Sequence, residues 1–181
     1  MDALTALHTR KASPKLIGPT PSKAELTQIY QAALRAPDHA MLRPWRFLVI
    51  QGEARNKLGE LFVKAMQPDT EEKKNKLLKA PLRAPMIIIG VSTITKDSKV
   101  PAVEQIGSTA AAIQNMSIAA HALGYASIWR TGAVAFSDKV KSELDLKASD
   151  EIVGFLYLGS PIYKNIPIPE INIVDYFEDW N

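Results

Sequence analysis

Arg35-Ala36-Pro37-Asp38-His39-Ala40-Met41-Leu42-Arg43-Pro44-Trp45-Arg46-Phe47-Leu48-Val49-Ile50 is the stretch in which a helical pattern stops, a polar turn follows and a β-branched run begins. Pro37 lacks an N–H and disfavours helical geometry at Ala36, so the preceding helix is predicted to end there. Pro44 fixes the start of a strand near Arg46. Asp38, His39, Met41 and Arg43 lie between the two prolines, on a loop held by rigid elements on both sides. That placement suits a binding site. The plainer reading is a connector with Trp45 anchoring the core.

Working outward, 181 residues at 46% hydrophobic and 23% charged predict one domain, residues 1–181, with a sizeable core. No apolar run approaches the ~18 residues that span a bilayer, and Met1-Asp2-Ala3-Leu4 lacks the basic and apolar regions of a signal peptide. The expectation is a soluble cytoplasmic protein with no membrane partner. Zero cysteines exclude disulfides, thiolate zinc sites, thiol nucleophiles and iron–sulfur ligation. The net charge of +3, from 22 basic and 19 acidic residues, suits a small anionic ligand; the basic residues are dispersed, which argues against nucleic acid.

N-terminal to the quoted stretch, residues 2–9 read as a short helix ending at the cations Arg10 and Lys11. Ser22-Lys23-Ala24-Glu25 matches a capping box, and Leu26, Ile29, Tyr30 and Ala33 repeat at helical spacing toward Pro37. On the other side, Leu58 to Met66 reads as a helix, and Pro68 to Lys79 as a solvated helix, acidic first and then basic, to which no chemistry is assigned. Met86 to Val91 is a continuous apolar run suited to a strand buried on both faces. A long helical pattern from about Val103 to Leu123 carries small residues that would let another helix or a flat ligand approach, and Gly124 is placed to end it in a left-handed cap. Short strands at Ala126–Trp129 and Ile152–Leu158 follow, the second closed by Gly159-Ser160-Pro161, with a helix from Ser137 through Leu144 between them. Strands alternating with helices point to an α/β or α+β sheet rather than a bundle. The tail, residues 161–181, carries Ile162, Ile166, Ile168, Ile171, Ile173, Tyr176, Phe177 and Trp180 on a proline-interrupted backbone, and is predicted to lie extended over an apolar surface.

The three histidines show no metal-ligand spacing, and no Gly-x-Ser-x-Gly elbow, P-loop or Gly-x-Gly-x-x-Gly is present. The conspicuous polar residues are cations beside turns, Arg10, Lys11, Arg35, Arg43 and Arg130, which suit a phosphate or an anionic ring. Several blocks carry a resemblance in unbroken order. They are Met1-Asp2-Ala3-Leu4 leading to Arg10-Lys11, Arg35 to His39 with Pro44 to Phe47, Arg83-Ala84-Pro85, His121 to Gly124, Trp129 to Gly132, and Gly154 to Gly159. Together they resemble a nitroreductase-family flavoprotein over nearly the whole chain.

The resemblance implies an α+β fold with a central, mixed but mainly antiparallel sheet flanked by helices. It implies a homodimer with FMN at the subunit interface, a C-terminal tail extending to the partner subunit, and NAD(P)H as co-substrate. Family positions that bind FMN fall on Arg10, Lys11 and Ala12, on Arg35 and His39, and on Trp129, Arg130 and Thr131. Those near the nicotinamide cofactor fall on Ala119, Ala120, His121, Ala122, Leu123 and Gly124. The family commonly has Ser where this chain has Ala12, so a hydroxyl contact is lost unless the backbone N–H or Ser13 replaces it. No catalytic side chain is assigned, because the cofactor carries hydride transfer while the protein holds and tunes it. The implied activity is ping-pong reduction of nitroaromatic, quinone or related small acceptors; the alternative is a flavin-binding carrier or sensor without efficient turnover.

Overall fold

The computed structural model describes residues 1–162 and 167–180. Six α-helices run over Ala3–Thr9 (α1), Lys23–Ala33 (α2), Ala54–Met66 (α3), Glu71–Lys79 (α4), Ala102–Ala122 (α5) and Asp138–Glu143 (α6). The strands are Leu16–Ile17 (β1), Trp45–Gln51 (β2), Met86–Ser92 (β3), Ala126–Arg130 (β4) and Glu151–Pro161 (β5). Among the described residues no helix is long and apolar enough to cross a membrane.

Local chemistry sets the boundaries. Ser22 closes the capping box on Glu25, Thr70 and Ser137 cap α4 and α6 through their hydroxyls, and Asp2 caps α1. Gly124, at φ +87, ends α5 in the left-handed region as its position predicted.

The sheet forms around β3, which pairs antiparallel with β2 on one side and β5 on the other; β5 also pairs antiparallel with β4. All seven residues of β3 are buried. Its side chains alternate between two cores. Ile87, Ile89 and Val91 join Leu58 and Phe62 of α3 and Val140 of α6. Met86 and Ile88 join Ile29 and Ala33 of α2 and Ala112, Ile113 and Met116 of α5. The result is three layers, with α2 and α5 on one face of the sheet and α3 and α6 on the other. Each fully buried isoleucine contributes roughly 1.5–3 kcal/mol. On the second face Phe62 meets Phe155 edge-on, with centroids 5.6 Å apart and planes at 88°.

The small residues of α5 let it press onto the sheet. A Cβ built on Gly90 would stand 2.5 Å from Ile113 Cδ1, so any larger residue there would force that side chain to move. Helix α2 runs antiparallel to α5. The Tyr125 hydroxyl, just past α5, donates to Glu25 near the start of α2 at 3.0 Å, and Asn115 Nδ2 donates to the Ala32 carbonyl near its end at 3.1 Å.

The structure differs from the expected boundaries at β5, which runs through Pro161 instead of closing at Leu158. Gly159 is paired with Ala126, and Ser160 and Pro161 are paired with Ile17 and Leu16. The two-residue strand β1 carried no alternating pattern of its own. Among the described residues the single parallel contact is the bridge from Ala12 to Ser127 at the side of β4. In the tail, Ile166 lies outside the described residues. Residues 167–180 hold one 3-10 turn, Ile173–Asp175, and every residue is exposed, with Trp180 at 99%.

Candidate functional site

The C-terminal end of α5 gathers the first group of predicted residues. Thr9 Oγ1 lies 2.8 Å from His121 Nε2 and donates its only proton to the Thr5 carbonyl. His121 must therefore donate from Nε2, which leaves Nδ1 as the acceptor of a neutral ring. Burial, and then the charges of Arg10 and Lys11, hold the His121 pKa below its ordinary value. The two cations thus stand beside the end of α5. Ala12, next in sequence, is exposed and bridges Ser127. Ser13 does not present a replacement hydroxyl: it is buried, its Oγ donates to the Lys15 carbonyl and its N–H to the Ser127 carbonyl. The Ser127 hydroxyl is itself buried against that of Ser117 at 2.8 Å.

Two residues beyond Ser127, β4 delivers Trp129 and then Arg130, which lie on opposite faces of the sheet, followed by Thr131 and Gly132. The Trp129 indole lies over Gly154, where a Cβ would collide with it; its Nε1 donates to the Val153 carbonyl at 3.3 Å, and the residue remains 37% exposed. Arg130 points the other way, its guanidinium carbon 5.9 Å from the Tyr157 ring centroid. Its Nε is buried with no hydrogen-bond partner among the described residues. Such an atom costs stability unless something else satisfies it.

Arg130, Thr131 and Gly132 form one wall of an open cavity of about 710 Å³. That volume is within the roughly 300–1,000 Å³ of small-molecule and cofactor sites. Phe62, Leu77, Phe155 and Tyr157 supply an apolar wall, and Lys73, Lys76 and Arg83 join Arg130 as its cations. The sequence reading missed these last three. It took α4 for a wholly solvated helix, and only the packing of α4 against α3, with Gly59 Cβ space filled by the Leu78 carbonyl, turns one edge of it toward the cavity.

Arg35 and His39 lie elsewhere. Both are exposed, and His39 Nδ1 donates to Glu104 at 2.7 Å, at the first turn of α5. Glu104 and His121 sit on one continuous helix, roughly 25 Å apart at ~1.5 Å per residue. The intervening loop is unusual: Ala40, Met41 and Arg43 hold φ of +59, +53 and +48, and Asp38 Oδ1 is buried without a partner among the described residues while its Oδ2 accepts from the Arg43 N–H. A single chain thus brings Arg10, Lys11 and Ala12 to the Ala119–Gly124 segment and sets Trp129 to Thr131 along the adjoining strand. It does not bring His39 to either.

The model of the Nitroreductase family matches residues 18–160. The chain is 39% identical over 184 residues to the protein named "Putative NAD(P)H nitroreductase YdjA" in Escherichia coli strain K12, spanning 98% of this chain and 100% of that one. The crystal structure of a nitroreductase-like family protein from Bacillus cereus superposes with a TM-score of 0.84 at 22% identity, covering 98% of this chain and 95% of that chain. A mutant of the FMN and NADPH-dependent nitroreductase NfnB from sphigopyxis sp. strain HMH does so with a TM-score of 0.77 at 17% identity, covering 99% of each chain. At these identities the two structures show the fold.

Proposed function

The chain belongs to the nitroreductase family, and on that premise we propose that it is an FMN-dependent NAD(P)H oxidoreductase whose flavin sites are each completed by two copies of the chain. When bound, FMN would supply two-electron redox chemistry between the nicotinamide and a small acceptor. The residues present fit it. The observation that carries the reading is Arg130, a guanidinium with a buried, unpartnered Nε at the wall of a cavity with room for a ring system.

In this reading Arg10 and Lys11 bind the phosphate by charge-assisted hydrogen bonds, at the end of α5 where, after burial, their charges add to the lowering of the His121 pKa. Arg130 and Thr131 line the ring site, and Trp129 packs at its strand. Gly132, at φ +87 with open space where a Cβ would stand, leaves its backbone accessible to a flat ligand. Phe62, Phe155 and Tyr157 exclude water from one side. His39, whose partner Glu104 lies roughly 25 Å from His121 along α5, and Arg35, exposed just past the end of α2, serve the site of the partner copy in a homodimer. Donor and acceptor then use one open face in turn, a ping-pong cycle on nitroaromatic, quinone or related acceptors. With no membrane-crossing helix among the described residues and no cysteine in the chain, we place the enzyme in the cytoplasm.

Purified protein is expected to be yellow, to bleach anaerobically with NADH or NADPH, and to recolour on addition of a nitroaromatic or quinone. Flavin that binds but does not bleach would leave a carrier or sensor instead. Arg130→Met should weaken FMN binding about 10- to 100-fold, the worth of a charge-assisted bond. Because the variant also removes a buried unpaired group, the flavin-free protein should melt no lower. Unaltered flavin affinity would remove Arg130 from the site.

A further inference from the structure

The cavity beside Arg130 has a one-sided charge that the chain as a whole lacks. The sequence is nearly balanced, 22 basic residues against 19 acidic. Yet the cavity is lined by Lys73, Lys76, Arg83 and Arg130 and by no carboxylate. Lys73 is paired with Asp69 at 2.7 Å, whereas Lys76, Arg83 and Arg130 have no carboxylate partner among the described residues. Arg83 and Arg130 both act on Tyr157 within the cavity, pulling its hydroxyl pKa down against the larger upward push of burial. Cations facing an apolar wall without a counterion repel one another and attract an anion that brings its own flat apolar body.

We propose that this cavity selects electron acceptors carrying an anionic group, such as a carboxylate or sulfonate on an aromatic ring, with Lys76 and Arg83 as the specificity-determining cations. The proposal rests on the flavin site argued above and names its substrate class. Lys76 projects from the exposed side of α4 and Arg83 from the turn just after it, Ala80–Arg83, so both reach the mouth of the cavity from one edge. Their attraction acts on encounter as well as on binding, and weakens with salt.

The test uses the flavin-loaded protein and a matched pair of acceptors, 4-nitrobenzoate and its neutral analogue 4-nitrobenzamide. At low salt kcat/KM for the carboxylate should exceed that for the amide by about tenfold, the lower end of a charge-assisted contact; the ratio should shrink at high salt. In Lys76→Gln/Arg83→Gln the ratio should fall toward one, and in Lys76→Glu it should invert. A ratio near one in the unmodified protein, or one that survives the double substitution, overturns the proposal. So does loss of FMN from the double variant, which would give these cations to the flavin. A change in NADPH-over-NADH preference during anaerobic flavin reduction, with the acceptor ratio intact, also overturns it by assigning the anion to the nucleotide. Absence of flavin from the unmodified protein is read by absorbance before any acceptor is added, and defeats the underlying reading instead.

Discussion

The two ends of α5 are built on different terms. At the C-terminal end each residue suits its backbone: Gly124 takes the left-handed conformation, the Leu123 N–H returns to the Ala119 carbonyl, and Thr9, Ser117, Ser127 and His121 satisfy one another. At the N-terminal end Ala40, Met41 and Arg43 are held left-handed without being glycine, a cost of roughly 1–2 kcal/mol each. Asp38 keeps a buried oxygen there with no partner among the described residues, and Met41 and Val103 stand 79% and 73% exposed. One end is finished by its own chain; the other is held in a form that its own chain does not use. Strain of this kind clusters at functional sites, and the homodimer proposed above would set a second copy against the His39 loop.

The largest effect should come from the tail. Truncation after Ile162 keeps β5 and its pairing of Pro161 with Leu16, and removes the exposed row from Ile168 to Trp180. The truncated chain should fold, sediment as a monomer or aggregate, and hold no FMN, whereas the full chain should sediment as a dimer, with an interface expected to bury upwards of ~2,000 Å². A soluble yellow dimer from the truncated chain would erase the contrast between the two ends, since neither would then need the tail. A smaller effect tests the strain itself: Met41→Gly should raise the urea midpoint of the flavin-free chain by an amount worth about 1 kcal/mol. An unchanged or lower midpoint would show that the loop is relaxed.

The smallest effect sharpens the C-terminal end. The folded pKa of His121 is depressed, first by burial and then by Arg10 and Lys11. The unfolded chain, with the ordinary value near 6.5, binds the proton first as pH falls, so stability is present above about pH 6.5 and is lost below it. Urea unfolding at several pH values should show this decline, flattened in His121→Gln. An identical decline in the variant would assign it to other groups.

How far the residues alone revealed this depends on whether a feature is local. The capping box at Ser22, the Gly124 cap and the all-apolar run of β3 are decided by neighbours in sequence, and each appears where the pattern put it. The family blocks likewise carried the fold. What escaped was set by distant contacts. Strand β1 and the extension of β5 to Pro161 exist only because they pair with each other. Lys76 and Arg83 face the cavity only because α4 packs on α3, and a charge pattern typical of a solvated helix carries no sign of that. The left-handed backbone at Ala40, Met41 and Arg43 left no trace in residue type, since nothing there is glycine or asparagine. That His39 and His121 sit at opposite ends of α5 also required the antiparallel packing of α2 on that helix to be seen.

Subunit complementation tests most directly whether two chains complete each site. Arg10→Gln disables the group at the C-terminal end of α5, and Arg35→Gln/His39→Ala disables the second group, of which His39 is bonded to the N-terminal end through Glu104. If each flavin is held by Arg10 of one copy and by Arg35 and His39 of the other, both variants should purify without FMN. Unfolding and refolding them together should then yield mixed dimers that bind about one flavin each, because one of the two sites draws only on intact residues. Mixtures that stay colourless, while the same treatment restores flavin to the unmodified protein, would contradict a site shared between two copies.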